Sequence, residues 1–232
     1  MKIVIIIVSC FLISVSTTAQ ETESWKELDE KGTQLYNEQK YEEGLEIFVR
    51  AVAAAKKEFG ENHLTYASTL QSLAMLQLYT DNFVDSEKSF LKALEIHARL
   101  VGKNNVEYQQ FLNGIVSLYM TTENVAQELK YHEEYRAVTR QVQGPNRDEY
   151  LSDLIQLADR YMDTGDYAKA ERLLLEGKGF AATKEKWNGD FCARLFQLYA
   201  EQGDGAKADP FFNEAKQIRN KGHWGAFVLI GV

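Results

Sequence analysis

Apolar residues along this chain fall at helical spacing in paired runs, and the pairs recur. Between Leu64 and Tyr79, the residues Leu70, Leu73, Ala74 and Leu78 share one helical face. Between Phe83 and Val101, Phe83, Phe90, Ala93, Leu94, Ile96 and Leu100 do the same. Thr80-Asp81-Asn82 between them reads as a turn. The same pattern predicts helix pairs at Thr22–Asn37 with Tyr41–Phe59, at Asn104–Thr121 with Val125–Val142, and at Asn146–Asp163 with Tyr167–Glu176. A fifth pair is predicted near 188–220.

The punctuation keeps one beat. Gly60-Glu61-Asn62 with Tyr66 recurs as Gly102-Lys103-Asn104 with Tyr108 and as Gly144-Pro145-Asn146 with Tyr150, each step 42 positions. Asn188 falls on the same beat without its glycine. A glycine after a helical run can take φ > 0 and close the helix, and the Asn two places on is read as the N-cap of the next. Two helices in about 42 residues cannot bury both faces alone, so neighbouring pairs must stack. The expectation is an all-α solenoid over 20–221, with pairs near 22–59, 63–101, 104–142, 146–178 and 188–220.

Particular residues carry a family resemblance. The first pair reads Leu28…Gly32…Leu35…Tyr41…Gly44…Phe48…Ala51, the second Leu70…Leu73-Ala74…Phe83…Ser86…Phe90…Ala93. The fourth reads Leu154…Leu157-Ala158…Tyr161…Gly165-Asp166-Tyr167…Ala170…Leu174. These resemble the tetratricopeptide signature, and the 42-residue spacing is similar to the kinesin-light-chain subclass. His63–Ile96 is the best match. The resemblance implies a right-handed α-α superhelix of about five helix hairpins, with first (A) helices on the concave side and second (B) helices outside. Ala51, Ala74, Ala93, Ala158 and Ala170 would let helices approach, while Tyr41, Phe83 and Tyr167 would fill the layer between pairs.

The chain departs from that pattern in two places. The third pair carries Val116, Val125, Glu128, His132 and Tyr135 where small or aromatic residues are usual. In the fifth, Tyr199, Gly203-Asp204, Ala208, Phe212 and Ala215 fit at 38 rather than 42 residues after the fourth. Gly177-Lys178-Gly179 is expected to end or fray the fourth B helix. Pro210 is expected at the first position of a short last helix, Pro210–Asn220, capped by Asp209.

Met1-Lys2, the apolar run Ile3–Val15 and the small residues Ser16–Ala19 have the order of a secretory signal peptide, with cleavage expected after Ala19. That run is short for a membrane span of about 20 residues. An uncleaved anchor and a lipidated Cys10 are the alternatives. The protein is thus expected to be exported, periplasmic or secreted, with no membrane span after cleavage. The apolar tail 222–232 is read as folding back over the last helix, with a missing further domain or a partner-paired segment as alternatives.

Net charge is −8, and −9 without the single Lys of the first 19 residues. No basic cluster relieves that acidity, so nucleic acid is not an expected partner. Cys192 would be the one thiol left after cleavage, so no internal disulfide is available; it is read as buried and inert.

Catalytic patterns are missing from the sequence. His63, His97, His132 and His223 stand in no metal-ligand spacing, and Glu133 and Glu134 point away from His132 around the helix. His63 is read as a helix-start residue. There is no phosphate loop and no Gly-x-Ser-x-Gly elbow. Glu42-Glu43 and Glu133-Glu134 read as solvated faces, and Trp25, Trp187 and Trp224 as packing groups. No cofactor, no metal and no catalytic residue is expected.

What remains is the inner wall. Superposing positions of equal phase builds the columns Gln71, Asn113, Ile155; Met75, Ser117, Asp159; and Leu78, Met120, Met162. Amides there can bond an extended peptide backbone and Met can supply adaptable apolar contact. The candidate peptide-binding residues are Gln71, Met75, Asn113, Ser117, Met120, Asp159 and Met162. The carboxylate clamp found in some tetratricopeptide domains needs Lys, Asn and Arg; its positions here hold Asp29, Thr33, Ser72, Gln110 and Gly114. The leading expectation is an exported, non-enzymatic scaffold for a protein or peptide. The alternative is a sensory or docking region of a larger signalling or protease protein; a hydrolase with a dispersed site is a third.

Overall fold

A computed structural model describes residues 23–220. The leader, the tail, Cys10, His223 and Trp224 lie outside the described residues. Ten helices follow one another: α1 Trp25–Asn37, α2 Tyr41–Phe59, α3 Leu64–Tyr79, α4 Phe83–Leu100, α5 Val106–Thr121, α6 Val125–Val142, α7 Asp148–Asp163, α8 Tyr167–Phe180, α9 Glu185–Glu201 and α10 Gly205–Asn220. They form five antiparallel pairs, each stacked on the next, in a right-handed α-α superhelix. The odd-numbered helices also meet across pairs, α3 with α5 and α7 with α9, as the inner row of a curved stack must.

The turn inside each pair is built the same way five times. Gln39, Asp81, Glu123, Gly165 and Gly203 all have positive φ, from 54° to 78°. The next residue donates its N–H to a carbonyl five positions back: Lys40 to Leu35, Asn82 to Gln77, Asn124 to Tyr119, Asp166 to Tyr161, Asp204 to Tyr199. That is a Schellman closure of the A helix. The donor residue then starts the B helix, and Asn124, Asp166 and Asp204 also cap it with their side chains. The first three copies hold a side chain in the left-handed region, which only glycine enters without strain. Glu123→Gly should therefore raise stability by about 0.5–1 kcal/mol, readable as a higher urea midpoint at unchanged slope.

Two expected boundaries move. The A helices are capped one residue after the Asn of the beat: His63 Nδ1 accepts from Thr65 N–H and Asn105 Oδ1 from Tyr108 N–H, while Arg147 starts α7 without a side-chain cap. Asn62 instead accepts from Arg99, and Asn188 lies inside α9. The last helix begins at Gly205, not Pro210; the Gly203-Asp204 closure nucleates it, and Pro210 is carried inside it.

The fourth B helix also runs on, through Gly177 to Phe180. Gly177 is not a terminator. A Cβ built there would lie 2.1 Å from Phe191 Cζ, so the missing side chain is what lets α9 seat its buried ring against α8. Gly32 under Phe48 and Gly114 under Phe90 solve the same contact, each at 2.5 Å. The five alanines named above are all fully buried.

A hydrogen-bond ladder fixes the pairs. Tyr108 Oη donates to Glu134, Tyr150 Oη to Glu176, and Asn188 Nδ2 to Glu214, always from an A helix to its own B helix. A second row joins each A helix to the preceding B helix: Tyr119 to Glu87, Tyr161 to Glu133, Tyr199 to Glu171.

The apolar core falls into three clusters, one joining the first pair to α3, one running through the second and third pairs, and one through the last two. Between the second and third clusters, where α6 meets α7, polar pairs take over. Arg160 donates to the buried Glu128 at 2.6 Å, and His132 Nε2 meets Asp153 Oδ1 at 2.6 Å with both residues buried. Polar residues of the divergent third pair thus have their partners on the fourth.

Candidate functional site

The inner wall is a run of four shallow, open notches between successive A helices, with volumes of about 270 to 370 Å³. Each shares residues with the next. Gln71 and Met75 belong to the first and second, Asn113 and Ser117 to the second and third, Ser152 and Gln156 to the third and fourth. A compact ligand finds no enclosed chamber here, whereas an extended chain finds a trough with side-chain-sized recesses.

Six of the seven sequence-predicted residues line this trough: Gln71, Met75, Asn113, Ser117, Met120 and Asp159. Met120 is 50% exposed and Asn113 is exposed. Ser117 donates its hydroxyl to the Asn113 carbonyl, so its helix already uses that group. Met162 is different. It is only 7% exposed and packs in the core of the last two pairs.

The trough changes character along its length. Among the described residues the first two notches are lined without a charged side chain, by Gln71, Gln110 and Asn113 beside Met75 and Tyr36. Gln109 is already tied to Thr139 and Gln143. The last two are acidic, with Glu149, Asp153, Asp159 and Asp190. Burial pushes the carboxyls of Asp153 and Asp159 above the usual range, and takes Asp190 up to about 6. Arg194 pairs with Asp159 at 3.1 Å.

Ser152 and Gln156 escaped the sequence reading, and Gln110 entered it only as a clamp position lacking the clamp residue, although their columns, Ser68–Gln110–Ser152 and Ser72–Gly114–Gln156, keep the same 42-residue phase. Nothing in the spacing identifies His132 with Asp153, whose meeting depends on how α6 lies against α7.

For Asp190 the sign is definite. A carboxyl whose folded pKa lies above its unfolded value disfavours the folded state when ionised, a penalty present at neutral pH and relieved as pH falls through about 6. Asp190→Asn should thus stabilise the protein at pH 8 by about 1 kcal/mol after allowance for its partial exposure, with the gain fading by pH 4.5. Thermal melts at both pH values check it.

Cys192 is fully buried, and burial drives its thiol up to about 12. A maleimide should leave the native protein unmodified for as long as it stays folded and label it on unfolding in guanidinium. Among the described residues no group of three His, Cys, Asp or Glu side chains is arranged to hold a metal, and no helix is long and apolar enough to cross a membrane.

Comparison with known proteins places this geometry. Residues 27–105, the first two pairs, match the tetratricopeptide repeat model. No curated protein matches the sequence. Among solved structures, the nearly identical TPR-like repeats of a kinesin light chain from Podosopora anserina superpose with a TM-score of 0.69 at 15% identity, over 86% of this chain and 97% of that one. BtubC (BKLC) from P. vanneervenii gives 0.64 at 15%, over 89% and 87%. MamA from Desulfovibrio magneticus RS-1 gives 0.59 at 11%, over 86% and 97%. The first two pairs thus carry the tetratricopeptide repeat model, and the three pairs that follow continue the same solenoid fold, which the kinesin light chain repeats share.

Proposed function

We propose that this protein is an exported, non-enzymatic scaffold that holds an extended segment of a protein or peptide partner along its A-helix wall. The observation that carries the reading is the continuity of the trough, four notches in file with shared amide, hydroxyl and thioether side chains. Tetratricopeptide repeats in general serve as scaffolds for protein partners, which agrees with such a surface. The amides of Gln71, Gln110 and Asn113 can each donate to and accept from a peptide backbone, and Met75 and Met120 adapt to varied side chains. The leader 1–19 supports export.

Two variants test the wall without touching the core, Asn113→Ala and Met120→Ala. Affinity capture from the envelope fraction of the exporting cell should lose the same partner with both, while circular dichroism stays unchanged. Equal recovery of partners by both variants and the parent protein would contradict the assignment. For export, the mature N-terminus should read Gln20; one beginning at Met1 would contradict cleavage.

A further inference from the structure

The trough is chemically polarised, and its acidic half is short of donors. Of the carboxylates there, Asp159 has Arg194, while Glu149 stands exposed at the rim and Asp190 is half-buried in the last notch. Asp153 lines the third notch at only 5% exposure, and its Oδ2 has no hydrogen-bond partner; neither has Nδ1 of His132, which lines the same notch at 4%. With His132 Nε2–H donating to Asp153 Oδ1, both remaining atoms are acceptors. Among the described residues Arg194 is the one Lys or Arg side chain lining these two notches, with Lys186 acting on Asp190 and Arg136 on Asp153 from beside them.

We propose that the α5–α7–α9 half of the trough is a receptor for a basic segment, an extended peptide whose Lys or Arg side chains enter the third and fourth notches while its neutral remainder lies along the amide-lined first half. This rests on the concave-wall reading above and specifies its ligand. An ammonium or guanidinium can pair with the accessible Glu149 and Asp190 and brings positive charge over the sealed, unpartnered Asp153 Oδ2. It also offsets the desolvation that leaves Asp153 and Asp190 poor anions, a cost carried by the empty wall and relieved on binding. The polarity fixes direction as well: basic residues belong at the end of the ligand nearer α9. An acidic ligand meets repulsion there, which excludes it.

The experiment is selection of a random display library of peptides about 12 residues long, which extended at about 3.3 Å per residue span four inter-helix steps of about 10 Å. The full chain is the bait. Lys and Arg should be enriched over the input, equally so on Glu43→Gln/Glu46→Gln, which removes two charges from the outer face of α2. Enrichment should vanish on Glu149→Gln/Asp190→Asn, and a basic peptide from the pool should bind that variant about tenfold more weakly, an effect that shrinks in high salt. A pool without basic bias, or one that keeps its bias on Glu149→Gln/Asp190→Asn, overturns the basic specificity. Asn113→Ala separates the two readings: if it weakens a pool without basic bias, the wall stands and its specificity falls. If no peptide is enriched, or if Asn113→Ala changes nothing, the wall itself is refuted.

Discussion

Gly177→Ala is expected to destabilise the protein by about 3 kcal/mol, although alanine is the better helix former by about 1 kcal/mol. The new methyl would stand 2.1 and 2.2 Å from two atoms of the Phe191 ring, which is fully buried and cannot swing into solvent. Overpacking of that kind forces α8 and α9 apart or drives the ring off its rotamer. The sign is diagnostic. Were Gly177 a helix end, as its neighbour Gly179 encourages one to read it, alanine would extend the helix and stabilise. Phe191→Leu placed beside Gly177→Ala should recover part of the loss by vacating the volume, so the pair is non-additive. Urea titration of the three variants measures it, and a stabilised Gly177→Ala would show that the two helices do not touch through this ring.

The second large effect lies in the polar seam between α6 and α7. Asp153→Ala should cost about 2–4 kcal/mol, because it leaves the buried His132 ring with no partner for Nε2. Replacing both, His132→Leu with Asp153→Leu, should fall within about 1 kcal/mol of the parent, since an apolar pair of similar size removes the desolvation cost along with the bond. A double-mutant cycle by thermal melting reads the difference. If the double variant is as damaged as the single one, the seam depends on shape and not on the hydrogen bond.

Much of this architecture was legible in the order of residues, and the reasons are local. Glycines at 60, 102 and 144 have positive φ at 84°, 91° and 87°, as a stop signal before each A helix requires. The 38-residue step to the fifth pair returns in the backbone as positive φ at Gly203 after Gly165. What was misread depends on a second helix. Gly177 looks like a breaker until Phe191 is set against it, and Pro210 like a start until Asp204 is seen closing α9 and capping α10. Wall residues follow the same division. Repeat phase located Asn113 and Met120, but the phase-mate Met162 is buried by its neighbours. Glu128 and His132 look out of place in the third pair because their partners, Arg160 and Asp153, belong to the fourth.

All of this assumes that each pair owes its folding to the pairs on either side. The third pair, residues 104–143, is the sharpest case, for Leu112, Ile115 and Leu118 are buried to within 2% and the buried Glu128 and His132 of α6 find their partners on α7. Produced alone and followed by circular dichroism on heating, it should show little helix and no cooperative transition, while residues 23–220 melt sharply. An isolated third pair that is fully helical and melts at the temperature of the whole chain would contradict the account.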